Sequence, residues 1–192
     1  MSTIEERPQR ADARRNRAAI VKAARAVFAR EGLEAQMDEV ARRAKVGVGT
    51  LYRHFPTKDA LVVALVEDKF ARLAAVTRRG LEIEDPWEAL ATVLRDGARM
   101  HASDRALGQA VMDQPDRIAA AAYAAGVPIL LDELVRRGQA AGVVRADARW
   151  EDVPMIFCAL SNAQGPPRAS WERMLSLVLD GLRAPGSDPL PK

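Results

Sequence analysis

The chain offers little to a catalyst. Its two histidines, His54 and His101, stand 47 positions apart, and its single cysteine, Cys158, falls on an apolar stripe. No Cys/His cluster has metal-ligand spacing, and neither a GxSxG nucleophile turn nor a phosphate-binding glycine loop occurs. No catalytic residue, metal or cofactor is therefore expected. The chemistry that stands out is polyanion binding. Gln36, Lys45, Thr50, Tyr52, Arg53, His54 and Lys58 crowd a short stretch, and each donates hydrogen bonds or carries positive charge. Among them, Gly47, Val48 and Gly49 are small enough for the backbone to approach a bulky ligand closely.

The charge distribution points the same way. Residues 1–58 carry 13 Lys/Arg and 7 Asp/Glu, a net of +6, whereas the remaining residues carry 16 and 19, a net of −3. A basic first third suits a partner such as DNA. A solvated basic face is the plainer alternative, and charge alone does not separate the two.

Those groups need elements to position them. The chain has 192 residues, 48% hydrophobic and 29% charged, rich in helix-forming Ala, Leu, Arg and Glu. With no period-2 alternation, it reads as an all-α fold of about nine helices. Residues 1–11 are expected to be a disordered basic arm. A first helix runs from a capping Asp12 to about Arg30, with Gly32 as its stop. A second covers about Met37–Ala44, and a third about Val48–Phe55, ended by Pro56. Thr57 caps a fourth helix, about Lys58–Arg79. Asp85 and Pro86 open a fifth, a short sixth spans about Arg105–Asp113, and a seventh runs from Pro115 toward Ala141, kinked or split by Pro128. The last two cover about Trp150–Asn162 and Ala169–Leu182. Residues 184–192 are Pro/Gly-rich and expected to be a flexible tail.

Two short helices joined by a tight turn at Gly47, behind a longer basic helix, have helix-turn-helix spacing. The sequence around it, Met37-Asp38-Glu39-Val40-Ala41, then Ala44-Lys45-Val46-Gly47-Val48-Gly49-Thr50-Leu51-Tyr52-Arg53-His54-Phe55, then Lys58 and Leu61, resembles the signature of the TetR family of bacterial transcriptional regulators. The resemblance covers about residues 12–65. It implies a DNA-binding domain over residues 12–57 and a helical regulatory and dimerisation domain over 58–183. It further implies that Thr50, Tyr52, His54 and Lys58 meet phosphates, while Val48 and Arg53 reach base edges. Arg7, Arg10, Arg14 and Arg15 would reach along the backbone or into a minor groove. The chain departs from the family at Gly47 and Gln36, where hydroxyl side chains are usual.

For the second half, the resemblance implies a homodimer, double-stranded operator DNA as partner and a small-molecule effector. The apolar faces of the last two helices supply the dimer candidates Val153, Phe157, Leu160, Trp171, Leu175, Val178, Leu179 and Leu182. Trp87, His101, Met112, Tyr123 and Phe157 are the ligand candidates, although each is also readable as ordinary core. A reducing cytoplasm fits the lone cysteine. Met1–Arg17 lacks the apolar stretch of a signal peptide. The uncharged run Ile118–Leu131 is 14 residues and too weak to span a membrane. The resulting expectation is a repressor released from a palindromic operator by its ligand. The alternatives are a DNA-binding regulator or nucleoid-type protein without small-molecule input, and a second half that binds a partner protein.

Overall fold

A computed structural model describes residues 6–103, 115–162, 170–184 and 188–190. The described residues form nine helices and no strand beyond one isolated bridge, Val144 with Arg183. The short helix expected at about Arg105–Asp113 lies outside the described residues. No single described helix is long and apolar enough to cross a membrane.

Helix α1 spans Glu6–Glu31 and starts six residues before the expected Asp12. Residues 6–10 are thus helical rather than part of a disordered arm. Pro8 permits this because it sits in the first turn, where the missing N–H has no intrahelical acceptor anyway. Asp12 does not cap; it pairs with Arg15 one turn on. Helix α2 is Met37–Ala44, and Lys45 closes it in a left-handed conformation (φ 58°), its amide donating to the Ala41 and Arg42 carbonyls. Helix α3 is Val48–His54, and α4 runs from Lys58 to Leu81. Thr57 Oγ1 accepts the Ala60 amide at 3.1 Å, as a cap should.

Helix α5 is Pro86–Ser103, capped by Asp85 Oδ1, which accepts from the Glu88 amide at 2.7 Å. Helices α6, Pro115–Ala124, and α7, Val127–Ala140, form a pair bent by 68°. The break comes at Gly126, whose φ of 73° favours glycine, two residues before the proline expected to cause it. Pro128 lies instead in the first turn of α7, where it is tolerated. Helices α8, Asp152–Asn162, and α9, Trp171–Leu182, complete the set.

The chain divides into two compact units. One comprises Met1–Asp68 with Ala106–Ile118, the other Lys69–Arg105 with Ala119–Lys192. The division falls inside α4, not at the expected 57/58 boundary. The first unit buries Ile20, Ala24, Val27 and Phe28 of α1, Val40 and Ala41 of α2, Leu51 of α3, Phe55, and Leu61 and Leu65 of α4. The core of the second unit joins α5, α7, α8 and α9. Gly97 of α5 gives Phe157 its seat there. A Cβ at residue 97 would stand 2.3 Å from Phe157 Cζ.

The tail is not free along its described part. Arg145 has a side chain only 10% exposed, and its guanidinium needs several acceptors. It donates to both oxygens of Asp147 at 2.6 and 3.0 Å, to Gly181 O at 3.2 Å and to Asp188 O. Asp147 Oδ2 in turn accepts the Leu190 amide at 2.8 Å. The Arg145 guanidinium and then the Leu190 amide hold the Asp147 carboxyl well below the usual carboxylate range. Residues 188–190 are thereby tied down, contrary to the composition-based expectation of a flexible end.

Gly97→Ala should destabilise the fold by about 1–3 kcal/mol, as for an overpacked core, and so lower the midpoint of chemical denaturation. An unchanged midpoint would mean that the Phe157 ring has room to give way.

Candidate nucleic-acid interface

The orientation of α3 follows from its apolar residues. Leu51 and Phe55, one turn apart, are buried at 0% and 2% exposure. They turn the opposite side outward, where Val48, Gly49, Tyr52 and Arg53 are exposed. Residues 48 and 52, and 49 and 53, are each four apart, so they share one face. A major groove about 12 Å wide admits an α-helix presented in this way.

Tyr52 is 44% exposed, so it does not simply pack on α1. Arg53 lies back along its own helix, with Nη2 donating to Thr50 Oγ1 at 2.8 Å and Nε to Gly49 O at 3.3 Å. Thr50 Oγ1 accepts in that bond and so keeps its hydroxyl proton for another acceptor, such as a phosphate oxygen. Reaching guanine would require Arg53 to leave these exposed bonds, at a cost of about 1 kcal/mol each. His54 is half-buried, its ring 6.5 Å from that of Phe55. Lys58 is the first residue of α4, half-buried, with Nζ 5.9 Å from the centre of the Phe28 ring.

Gly49 carries a specific message. A Cβ built there meets nothing within 4 Å, and its φ is not in the left-handed region. The fold therefore does not need glycine, although glycine inside a helix costs about 0.5–1 kcal/mol relative to alanine. Gly47, the residue before α3, similarly has only Thr50 Oγ1 near its missing Cβ, at 4.0 Å.

Neither short helix has a side-chain cap. Gln36, before α2, donates its Nε2 to Glu34 O at 2.8 Å instead. Lys45 is exposed at the turn. Arg42, by contrast, is tied to both oxygens of Glu39 at 2.7 and 2.8 Å, and Arg30 stands 3.5 Å from the same carboxylate. The hydrogen bonds from Arg42 keep the Glu39 carboxyl below its ordinary range. Exposed Lys22 and Arg43 border the same unit and escaped the sequence reading, because no motif spacing marks them. Arg14 and Arg15 are exposed but helical. A helix about 10–12 Å wide does not enter a minor groove of about 6 Å, so this helical segment does not suit the minor-groove insertion expected of a flexible arm.

The second-half candidates are less convergent. His101 stacks on Phe157 at 4.7 Å between ring centres, with Nδ1 3.0 Å from Gly97 O. Trp87 sits at the other end of α5, about 21 Å away along the axis by helical rise. It packs at the rim of the core beneath Arg183, whose Cζ is 4.1 Å from the ring centre. Tyr123 is 67% exposed and faces away from the core. Met112 lies outside the described residues.

The dimer candidates are also placed differently. Val153, Phe157, Leu160, Leu175, Leu179 and Leu182 are buried in the chain's own core, and Trp171 and Val178 pack against it. Their stripe is apolar because it closes its own unit. The outward sides of the same two helices carry Met155 and Cys158 on α8 and Met174 and Leu177 on α9. Met155 is 69% exposed and Leu177 64%.

Comparisons with known proteins agree with this architecture. A family model described as bacterial regulatory proteins, tetR family, matches residues 20–65. A second, described as the C-terminal domain of SbtR-like transcriptional regulators, matches residues 85–184. The crystal structure of a TetR transcription regulatory protein from Mycobacterium vanbaalenii is 41% identical, covers 92% of this chain and 100% of its own, and superposes with a TM-score of 0.72. That of a TetR transcriptional regulator from Streptomyces coelicolor is 34% identical over 87% of this chain and 98% of its own, with a TM-score of 0.68. The transcriptional repressor KstR of Mycobacterium tuberculosis is 46% identical over 67 residues, which is 34% of this chain and only 30% of that repressor. The two matched regions, the near-complete overlap with solved regulators and the helix-turn-helix on an all-α scaffold together place this chain in the TetR family of bacterial regulatory proteins.

Proposed function

We propose that the chain is a DNA-binding transcriptional repressor that grips a palindromic operator as a homodimer and is released by a small molecule. The observation that carries the DNA-binding part is the outward face of α3, with Val48, Gly49, Tyr52 and Arg53 exposed while Leu51 and Phe55 anchor the helix from behind. Thr50, Tyr52, His54 and Lys58 then meet phosphates, assisted by Gln36, Lys45 and the close backbone at Gly47. Val48 and Arg53 read base edges. Kinship with a mycobacterial repressor over the helix-turn-helix supports repression as the outcome.

The dimer is proposed through the outward sides of α8 and α9, with a second copy as the occupant. Met155, Met174 and Leu177 leave apolar surface in water on two helices that pack against one another. Burying such surface against its own twin gains about 25 cal/mol per Å². A two-fold axis there also suits an inverted-repeat operator.

Release by ligand rests on family membership and on α4. That helix begins with Lys58 and continues to Leu73 and Ala74 in the core of the second unit. A ligand shifts such an equilibrium only through differential affinity, and about 10⁴-fold is needed to move it from 1:99 to 99:1. One observation favours the second reading, a regulator without small-molecule input: among the described ligand candidates only His101 and Phe157 are shown in contact, while Trp87 packs under Arg183 and Tyr123 is exposed. Titrating candidate effectors against the protein–operator complex separates the two readings.

Four outcomes test the proposal. Selection of bound DNA from a random pool should return an inverted repeat. On that DNA, Lys58→Ala should weaken binding at all sequences and lower the salt slope by about one; a change confined to base preference would remove the phosphate role. Gly49→Ala should raise thermal stability by about 0.5–1 kcal/mol while reducing operator affinity, and undiminished affinity would show that nothing approaches α3 there. Leu177→Glu should turn a dimer into a monomer in light scattering and weaken operator binding with it. A dimer that survives the change places the two-fold contact elsewhere.

A further inference from the structure

Next to Lys58, the lysine assigned to a phosphate, stands an acidic residue, Asp59, in the first turn of α4. A carboxylate in that position opposes the task. It cancels the neighbouring ammonium and competes with phosphate for the positive end of the helix. The structure shows a third charge that changes the balance. Arg117 Nη1 donates to both oxygens of Asp59, at 2.9 and 3.1 Å, from a position 58 residues further along the chain. Arg117 lies in the first turn of α6 and belongs to the same compact unit as the helix-turn-helix.

We propose that Arg117 is a positioning residue of the DNA interface: by holding the Asp59 carboxylate, it lessens the repulsion which that carboxylate exerts on a phosphate at the first turn of α4. The inference rests on the DNA-binding reading above and adds to it a means of regulation. The ion pair is largely exposed on both sides, so its contribution to folding is small. Its effect is on the charge presented beside Lys58. Helix α6 has no fully buried residue among those described. Residues through Ile118 group with the DNA-binding unit and those from Ala119 with the other. A shift of α6 would draw Arg117 away, uncover the carboxylate and repel the operator.

The test is a double-mutant cycle on the full chain, read by fluorescence anisotropy with the selected operator over a range of salt concentrations. Arg117→Ala should weaken binding roughly 3- to 10-fold and lower the salt slope by up to about one. Its thermal midpoint should stay at the wild-type value, which separates a charge effect from misfolding. Asp59→Asn added to Arg117→Ala should restore affinity and slope to within about twofold of wild type, and Arg117→Lys should stay close to wild type. Unchanged binding by Arg117→Ala would overturn the proposal. So would a loss that Asp59→Asn fails to restore, because Arg117 would then touch DNA itself. If Lys58→Ala is neutral in the same assay, the DNA interface as drawn is wrong and this inference falls with it. If Lys58→Ala weakens binding and Arg117→Ala does not, only the inference falls.

Discussion

Everything that α3 offers to a partner is decided on its hidden side. A helix of seven residues has almost no stability of its own. Leu51 and Phe55, both in the interior of the first unit, hold it in place and fix its rotation. Helix α2 packs against α3, Arg17 of α1 stands over the Phe55 ring, and the left-handed Lys45 turns the chain between the two short helices. Pro56 then stops α3 and Thr57 starts α4, which puts Lys58 at a helix beginning. The exposed groups are individually ordinary; their common orientation is a product of two buried side chains.

The first unit was largely legible in the sequence because its signals are local. Apolar residues recur at helical spacing, and Gly, Pro and hydroxyl residues punctuate them. Helix α2 falls where the pattern places it, and α3 ends one residue short of it. The start of α1 departs from the expected Asp12 for a reason equally local, since a proline and many charges suggest disorder unless the proline falls in the first turn.

The second unit was harder to read because its decisive facts are non-local. An apolar stripe on α8 or α9 announces burial but not by whom. The more continuous stripe serves the chain's own core, around Phe157 and Leu179, while the sparser one with Met155 and Leu177 is left outside. Similarly, Trp87 and His101 share a stripe on α5, yet its length keeps them apart. The Arg117–Asp59 pair joins residues that no motif connects.

The strap around Arg145 has a bearing on how the molecule is made. Its acceptors on Gly181 and Asp188 lie 36 and 43 residues downstream, and Leu190 completes Asp147. A polypeptide leaving the ribosome presents this guanidinium long before those partners emerge. The link between α7 and α8 therefore sets late, and a nascent chain halted before Asp188 holds a half-satisfied arginine where the finished protein has a closed knot.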